Sequence, residues 1–561
     1  MTKKLIECVP NFSEGRNMDI IKQITQQIES VEGVQLLDID PGKATNRTVV
    51  TFVGEPEPVI EAAFLAMKKA AELIDMRQHH GEHPRFGATD VCPLVPISGI
   101  SMEETVKYAQ KLAKRVGEEL QIPIYLYESA ASRPERKNLA TIRAGQYEGL
   151  AAKLKHPDWK PDAGPAEFNE SVQKSGVTAV GARDFLIAYN VNLNTTSVRR
   201  ANAVAFDVRE AGRAATRKGK VLRNKKGEAL RKAGKLKAVK GIGWYIEEYG
   251  ICQVSMNLTD IKVTPFHTAF EAVCDSANSR GMRVTGSELV GLVPLKVMLD
   301  AGKRFLEKQK RSTGIAESEI IKIAIKTMGL DELSEFNPRK KIIEYILADN
   351  AKRPLVNMSL KAFAAETASE SPAPGGGSIA AYIGALGVAL GTMVANLSAH
   401  KRGWDKRWKV FSDWAEKGQA FQSDLLYLVD EDTNAFNRII DAVRLPKKTE
   451  TEQVARAKAM TEATKYAIEV PLRVMRTALD SMVVMEAMAK IGNPNSASDA
   501  GVGAACARTA VLGAYLNVKI NLGGFDDAEF AEAALKKADN ILKRAIKKEK
   551  EILAIVTDKI A

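Results

Sequence analysis

The stretch IGWYIEEYGICQVSMN, residues 242–257, decides the fold of the first half of the chain. Two runs rich in apolar and aromatic residues, 242–248 and 251–257, flank Tyr249-Gly250, a dipeptide suited to turning one strand back on the next. Upstream, DFLIAYNVN (184–192) reads as a strand leading into a helix over 196–212. Downstream, a helix over 265–279 precedes a strand over 282–290. That order, βαββαβ, is the ferredoxin-like unit. Further out, 4–10, 34–40, 47–53 and 122–128 are short apolar strand candidates, with helices expected over 17–31, 56–75 and 102–120. The first lobe is therefore α/β too. Helices over 294–309 and 316–328 close this half.

Near residue 350 the pattern changes. Residues 330–358, with Pro338, Pro354 and the run Arg339-Lys340-Lys341, read as a connection. Beyond it the periodicity is helical over 359–369, 377–400, 405–440, 450–490, 497–518 and 526–558. The expected fold is multidomain: an N-terminal half of two α/β (ferredoxin-like βαββαβ) lobes and a C-terminal all-α, bundle-like half. The boundaries are an α/β lobe at 1–180, a ferredoxin-like lobe at 181–329, a linker at 330–358 and the helical domain at 359–561.

The composition is that of a globular protein, with 561 residues, 45% hydrophobic and 27% charged. Five scattered cysteines (Cys8, Cys92, Cys252, Cys274 and Cys506) form neither a disulfide framework nor a zinc motif, which places the chain in a reducing cytoplasm. The start, MTKKLIECVPNFSEG, has no apolar core of a signal peptide. Ser371 to His400 contains no Asp, Glu, Lys or Arg and carries Gly387 and Gly391 in a GxxxG pattern, the length and composition of a membrane span. Its dominance by Ala and Gly, Asn396 within it, and charged amphipathic neighbours favour instead a central helix packed on all sides, with no membrane. The net charge of +12 is concentrated in 213–240, which holds twelve Lys/Arg and one Glu. That segment reads as a solvated basic insertion or an attractor for a small polyanion. It has no aromatic residue for base stacking, so no nucleic acid is expected.

Several groups of residues can carry chemistry. His79-His80-Gly81-Glu82-His83-Pro84-Arg85 holds three of the six histidines. His79 and His83 have the spacing of a metal pair on a helix, but Gly81 and Pro84 argue for a loop, and no metal is expected. A loop histidine beside Glu82 and Arg85 suits acid–base work near neutral pH, against the plain alternative of a surface cluster. Gly164-Pro165, Phe168, Gly176 and Gly181-Ala182-Arg183 form either a linker or the wall of a cleft between lobes. In Ala373-Pro374-Gly375-Gly376-Gly377-Ser378, three glycines exceed the need of a helix cap by Ser378 and point to a ligand-facing turn. In DLLYLVDEDTNAFNRII, Asp432 falls at the centre of the stripe Leu425, Leu428, Val429, Ala435, Phe436 and Ile439, whereas Asp430 lies on the opposite face toward solvent. A carboxylate aimed at a core has its pKa raised unless paired, which makes Asp432 either a general acid or a structural acid satisfied by a neighbour. Ser496 with Asp499 reads as a capping box, and Tyr515 and Asn517 add polar groups further along.

These motifs carry a family resemblance. ECVPNFSEGR (7–16), ATNRTVVTFVG (44–54), RQHHGEHPRFGATDVCPLVP (77–96), VGARDFLIAYNVNL (180–193), GIGWYIEE (241–248), VGLVPLKVMLDA (290–301), APGGGS (373–378), LVDEDTNAF (428–436) and RLPK (444–447) together resemble the bifunctional formimidoyltransferase–cyclodeaminase family over almost the whole length. The resemblance implies transfer of a formimidoyl group from N-formimidoyl-L-glutamate to tetrahydrofolate, then closure to 5,10-methenyltetrahydrofolate with loss of ammonia, in histidine degradation. It implies His83 as the proton relay of transfer and Asp432 as the proton donor of closure. It implies folate contacts at Gly164, Pro165, Ala166, Glu167, Phe168, Ser175 and Gly176, and at Gly375, Gly376, Gly377 and Ser378. Tetrahydrofolate, with or without a polyglutamate tail, would be substrate rather than resident cofactor, and the family implies a homo-oligomer. The insertion at 213–240 is longer than the family's connection there. The competing reading is a catalytically silent folate-binding scaffold of the same architecture.

Overall fold

A computed structural model describes residues 4–43, 45–81, 84–224, 227, 229–349 and 354–561. Packing divides the chain into two units, Met1–Val297 with Met328–Leu347, and Met298–Thr327 with Ala348–Ala561.

The first unit holds two sheets. In the first, Leu5–Cys8 and Asn11–Phe12 form one interrupted strand between Arg47–Gly54 and Thr89–Ser98, with antiparallel partners on both sides. Val34–Gly42 lies outside Arg47–Gly54, and Thr178–Ala182 and Ile124–Glu128 extend the other edge in parallel. The helices Met18–Glu29, Pro56–Leu73 and Met102–Glu119 complete the lobe. Asn17 caps the first by accepting the amides of Asp19 and Ile20, and Ser101 with Glu104 closes a capping box on the third. Up to Ser98 this lobe repeats the βαββαβ order of the second. Two of its strands are not expected from sequence. Thr89–Ser98 contains Pro93 and Pro96, a residue type disfavoured inside sheets. Proline removes only the donor, however, and the Pro93 carbonyl still accepts the Val9 amide at 3.2 Å.

The second lobe has the expected topology. Its strands run Val239–Ile246, Ile251–Leu258, Ile187–Leu193, Val284–Val290 across the sheet, all antiparallel. Ile246 pairs with Ile251, and Gly250 takes φ +65° in the turn between them. Helices Val198–Val208 and Phe266–Asn278 complete the unit. The basic insertion forms small exposed hairpins, Arg213–Ala214 with Arg231–Lys232 and Thr216–Arg217 with Lys220–Val221.

The second unit is helical. Gly376–Ala399 packs against Trp408–Arg444, Glu450–Ile491 and Ala497–Leu522, and Ala528–Ile560 covers the last two. The glycines do what the sequence suggests: a Cβ on Gly387 would sit 2.7 Å from the Gly503 carbonyl oxygen, and one on Gly503 would sit 2.6 Å from that of Gly387. The central helix is not packed on all sides, however. Leu386, Met393 and Leu397 leave an exposed apolar stripe along it. The helices Leu295–Lys308 and Glu317–Met328, expected to close the first half, belong mostly to this unit. The loop between them explains why, because the Thr313 amide donates to Ser412 Oγ at 3.0 Å and Asn396 Nδ2 donates to the Gly314 carbonyl at 2.8 Å.

Candidate active sites

The first unit contains a cavity of about 640 Å³ between the faces of its two lobes. The interrupted first strand contributes Glu7, Val9 and Asn11, and Arg47 enters from the next strand. The second lobe contributes Phe185, Lys240 and Asn257. The wall is electropositive by construction. Asp90, fully buried, is shared by the guanidiniums of Arg47 and Arg143. Arg47 also donates to Asn11 Oδ1 at 3.0 Å, and burial lowers its pKa. Arg183 and Lys240 add two more cations to the lining. Glu7 faces the same space, and its burial, partly opposed by Arg183, pushes its pKa up to about 7.

The histidine motif borders this cavity through Pro84. Glu82 and His83 themselves lie outside the described residues. The described parts of the motif are not helical, as Gly81 and Pro84 foretold. His79 is structural: its Nε2 lies 2.8 Å from the Asn46 carbonyl, which can only accept, so Nε2 carries the proton. Burial lowers the His79 pKa and keeps the ring neutral. Asn46 organises the loop further, donating Nδ2–H to the His80 carbonyl at 2.9 Å and accepting the Gly15 amide at 3.0 Å. Arg85 is also a strut: it donates to the carbonyls of Met76 and His79, pairs with Glu148 and lies over the Tyr147 ring. Among the described residues no group of three or more His, Cys, Asp or Glu is arranged to hold a metal ion.

The segment expected to contact folate lies beside this loop and does not line the cavity. Gly164, with φ +82°, packs against the Ile122 carbonyl, and Phe168 meets Tyr147 edge to face at 6.1 Å. Gly164, Ala166 and Glu167 are exposed, Pro165 is half-buried, and Ser175 and Gly176 are buried. The Ser175 carbonyl accepts the Ala88 amide at 2.7 Å, and Gly176 abuts Gly87. The segment therefore buttresses the backbone that follows His83. The crossing between lobes falls at Arg183–Leu186, after the strand Thr178–Ala182.

In the second unit Asp432, on the helix Trp408–Arg444, meets the start of Gly376–Ala399. The amide and hydroxyl of Ser378 donate to its Oδ2 at 2.8 and 3.1 Å. Oδ1 lies against Gly377, so close that a side chain there would overlap it. Burial raises the Asp432 pKa, and the two Ser378 hydrogen bonds only partly offset this. Gly375 is the cap residue and Ser378 is inside the helix, so the glycines serve the approach of the acid rather than a serine cap. Asn517 lies beside Gly376.

The neighbouring acids correct the helix-face reading. Asp430 is not solvated: it is 4% exposed and accepts the amides of Leu355 at 2.9 Å and Val356 at 3.4 Å, because the chain entering the unit covers that face. Phe436, expected in the buried stripe, is exposed. Glu431 takes the polar partners, accepting from Tyr466 and Asn434 and pairing with Arg438 at 3.6 Å. Of three consecutive acids, Asp432 is the one with an oxygen left over. Ser496 makes no capping hydrogen bond, and Tyr515 donates to Asp539 instead of facing the site. Sequence reasoning missed Arg47, Asp90, Arg143 and Glu7. For Glu7 a signal was present, a lone acid within the apolar run LIEC.

Residues 5–183 match a model described as the formiminotransferase domain, N-terminal subdomain, 188–348 one described as the formiminotransferase domain, and 359–540 one described as formiminotransferase-cyclodeaminase. Over 543 residues the chain is 42% identical to a formimidoyltransferase-cyclodeaminase of Rattus norvegicus, covering 97% of each. A glutamate formimidoyltransferase of Thermoplasma acidophilum is 44% identical over 305 residues, 54% of this chain and 92% of the relative. A methenyltetrahydrofolate cyclohydrolase of Methylorubrum extorquens is 36% identical over 204 residues, 36% of this chain and 98% of the relative.

Proposed function

The chain belongs to the formimidoyltransferase–cyclodeaminase family, and from that premise we propose how its two sites divide the work. It is a bifunctional enzyme. The first unit moves the formimidoyl group of N-formimidoyl-L-glutamate to N5 of tetrahydrofolate, and the second closes 5-formimidoyltetrahydrofolate to 5,10-methenyltetrahydrofolate, releasing ammonia. In transfer, N5 attacks the amidine carbon, and the glutamate nitrogen leaves with a proton relayed by His83. Folate rests on Gly164, Pro165, Ala166 and Glu167 with Phe168, while Ser175 and Gly176 hold the loop behind. In closure, N10 attacks the same carbon. With the formimidoyl group entering as its amidinium, Asp432 gives its proton to the departing NH2 and recovers one from N10, so that ammonia leaves and the positive charge passes to the methenyl product. Gly375, Gly376, Gly377 and Ser378 border the folate in this site.

The observation that carries this reading is the state of Asp432: desolvated, with a raised pKa, no cationic partner among the described residues, and one free oxygen. A silent folate-binding scaffold has no use for such an acid. The experiment mixes the protein with formimidoylglutamate and tetrahydrofolate and follows methenyl-folate by absorbance and ammonia by a coupled assay. Equal production of both supports the reading, and absence of both sinks it.

Two finer proposals accompany it. The folate carries a polyglutamate tail drawn by the basic hairpins, which is supported by Arg217, Lys218, Lys220 and Lys232, exposed and without a carboxylate partner among the described residues. Arg213, Lys235 and Lys237, by contrast, pair with Asp207, Asp275 and Glu210. Lys225, Lys226 and Glu228 lie outside the described residues. The enzyme is a cytoplasmic homo-oligomer, and its assembly is supported by the exposed apolar stripe of Leu386, Met393 and Leu397, a surface that a second copy would cover. Sedimentation of Leu397→Glu against wild type tests this, with dissociation expected.

A further inference from the structure

The chemistry above leaves one buried acid of the first cavity unused. Glu7 stands between Ile6 and Cys8 on the strand Leu5–Cys8, is 3% exposed, and lines the cavity. Among the described residues no side chain or amide donates a hydrogen bond to its carboxylate, and Arg183, which also lines the cavity, is the cation that acts on it. A buried carboxyl group without a partner is costly unless a ligand supplies one.

Around it the lining is cationic. Among the described residues Arg47, Arg143, Arg183 and Lys240 line the cavity beside the acids Glu7 and Glu128, and Asp90 pairs with two of the guanidiniums. A ligand fitting this pattern bears two or more negative charges and one positive, the positive end reaching the first strand. Formimidoylglutamate has that pattern. Its two carboxylates are anionic, and its amidine, a strong base, is a planar cation with N–H groups that match a carboxylate edge in the manner of a guanidinium. The cavity, at about 640 Å³, exceeds one such molecule and leaves room for the second reactant.

We propose that Glu7 is the residue that recognises the formimidoyl nitrogen, pairing its carboxylate with the amidinium of formimidoylglutamate while the cavity's guanidiniums take the two carboxylates. This rests on the transferase reading of the first unit. It assigns Glu7 to substrate selection: the donor is distinguished from its neutral formyl analogue by charge, at the atom that must later leave as the new imine of the folate. The raised pKa of Glu7 fits this role. Below about pH 7 the acid is protonated and cannot pair, so binding of the cation weakens and is accompanied by proton release. The charged groups acting on Glu7 are Arg183 and Glu344; Arg47, Tyr127, Glu128 and Lys240 line the same cavity, and Cys8 stands beside it in sequence.

The test compares wild type, Glu7→Gln and Glu7→Asp. For each, kcat and KM with formimidoylglutamate are measured beside the inhibition constant of N-formylglutamate, the same skeleton with a neutral amide. Losing a charge-assisted pair should raise the KM of formimidoylglutamate in Glu7→Gln by about tenfold or more, with N-formylglutamate binding nearly unchanged. Glu7→Asp should fall between. Retained N-formylglutamate binding shows that the first unit is folded. An unchanged KM, or equal loss of both ligands, overturns the proposal. If Glu7→Gln does not fold, Glu7→Asp decides alone, by whether it loses the cation selectively. Wild type without transfer activity would sink the functional reading itself; wild-type transfer with an indifferent Glu7→Gln sinks only Glu7.

Discussion

Ser378 holds Asp432 by one oxygen only. Its amide and hydroxyl both reach Oδ2, at 2.8 and 3.1 Å, and Oδ1 is left beside Gly377. The acid is thus oriented without being neutralised. Gly377→Ala places a methyl group where Oδ1 sits, and the acid must move. Cyclisation of supplied 5-formimidoyltetrahydrofolate should fall by about 10²-fold, the scale of an ångström-sized misplacement. Formimidoyl transfer, measured separately, should be unaffected.

The two activities should separate by mutation. Asp432→Asn should lower cyclisation by about 10²–10⁴-fold while transfer continues, so that 5-formimidoyltetrahydrofolate accumulates. His83→Ala should do the reverse. Single-turnover absorbance with each substrate checks both, and a variant losing both activities equally would contradict the assignment.

Asp432 works as a donor only while protonated, so the cyclisation rate should fall as pH rises through its raised pKa. The Ser378 hydroxyl favours the ionised form. Ser378→Ala removes that bond, raises the pKa further and should move the alkaline limb of the rate profile to higher pH. A limb moving to lower pH would contradict the geometry.

Asp430 is a structural acid. Asp430→Ala leaves the amides of Leu355 and Val356 without their acceptor, and each buried unsatisfied donor costs about 1–3 kcal/mol. Thermal unfolding should show the loss, while cyclisation at low temperature persists.

The hairpin cations act at long range. Lys218→Gln with Lys220→Gln should weaken binding of polyglutamylated tetrahydrofolate and flatten its salt dependence, leaving the monoglutamate unchanged. Equal effects on both ligands would show that the hairpin does not read the tail. Titration at two ionic strengths separates the cases.

The amino-acid sequence alone determined the βαββαβ order around 242–257, because strand and helix periods are written in each segment's own apolar spacing. It could not show which distant segment covers which face. Asp430 reads as solvated until Leu355 and Val356 are laid over it from 75 and 74 residues away. Thr89–Ser98, with two prolines inside it, is not among the strands expected from sequence, and strands on both sides hold it. The charged cavity is assembled only by folding, since Arg47 and Arg143 reach Asp90 from 43 and 53 residues away. Periodicity reports what a segment hides from water; which partner hides it, and which charges then face each other, is decided by the tertiary structure.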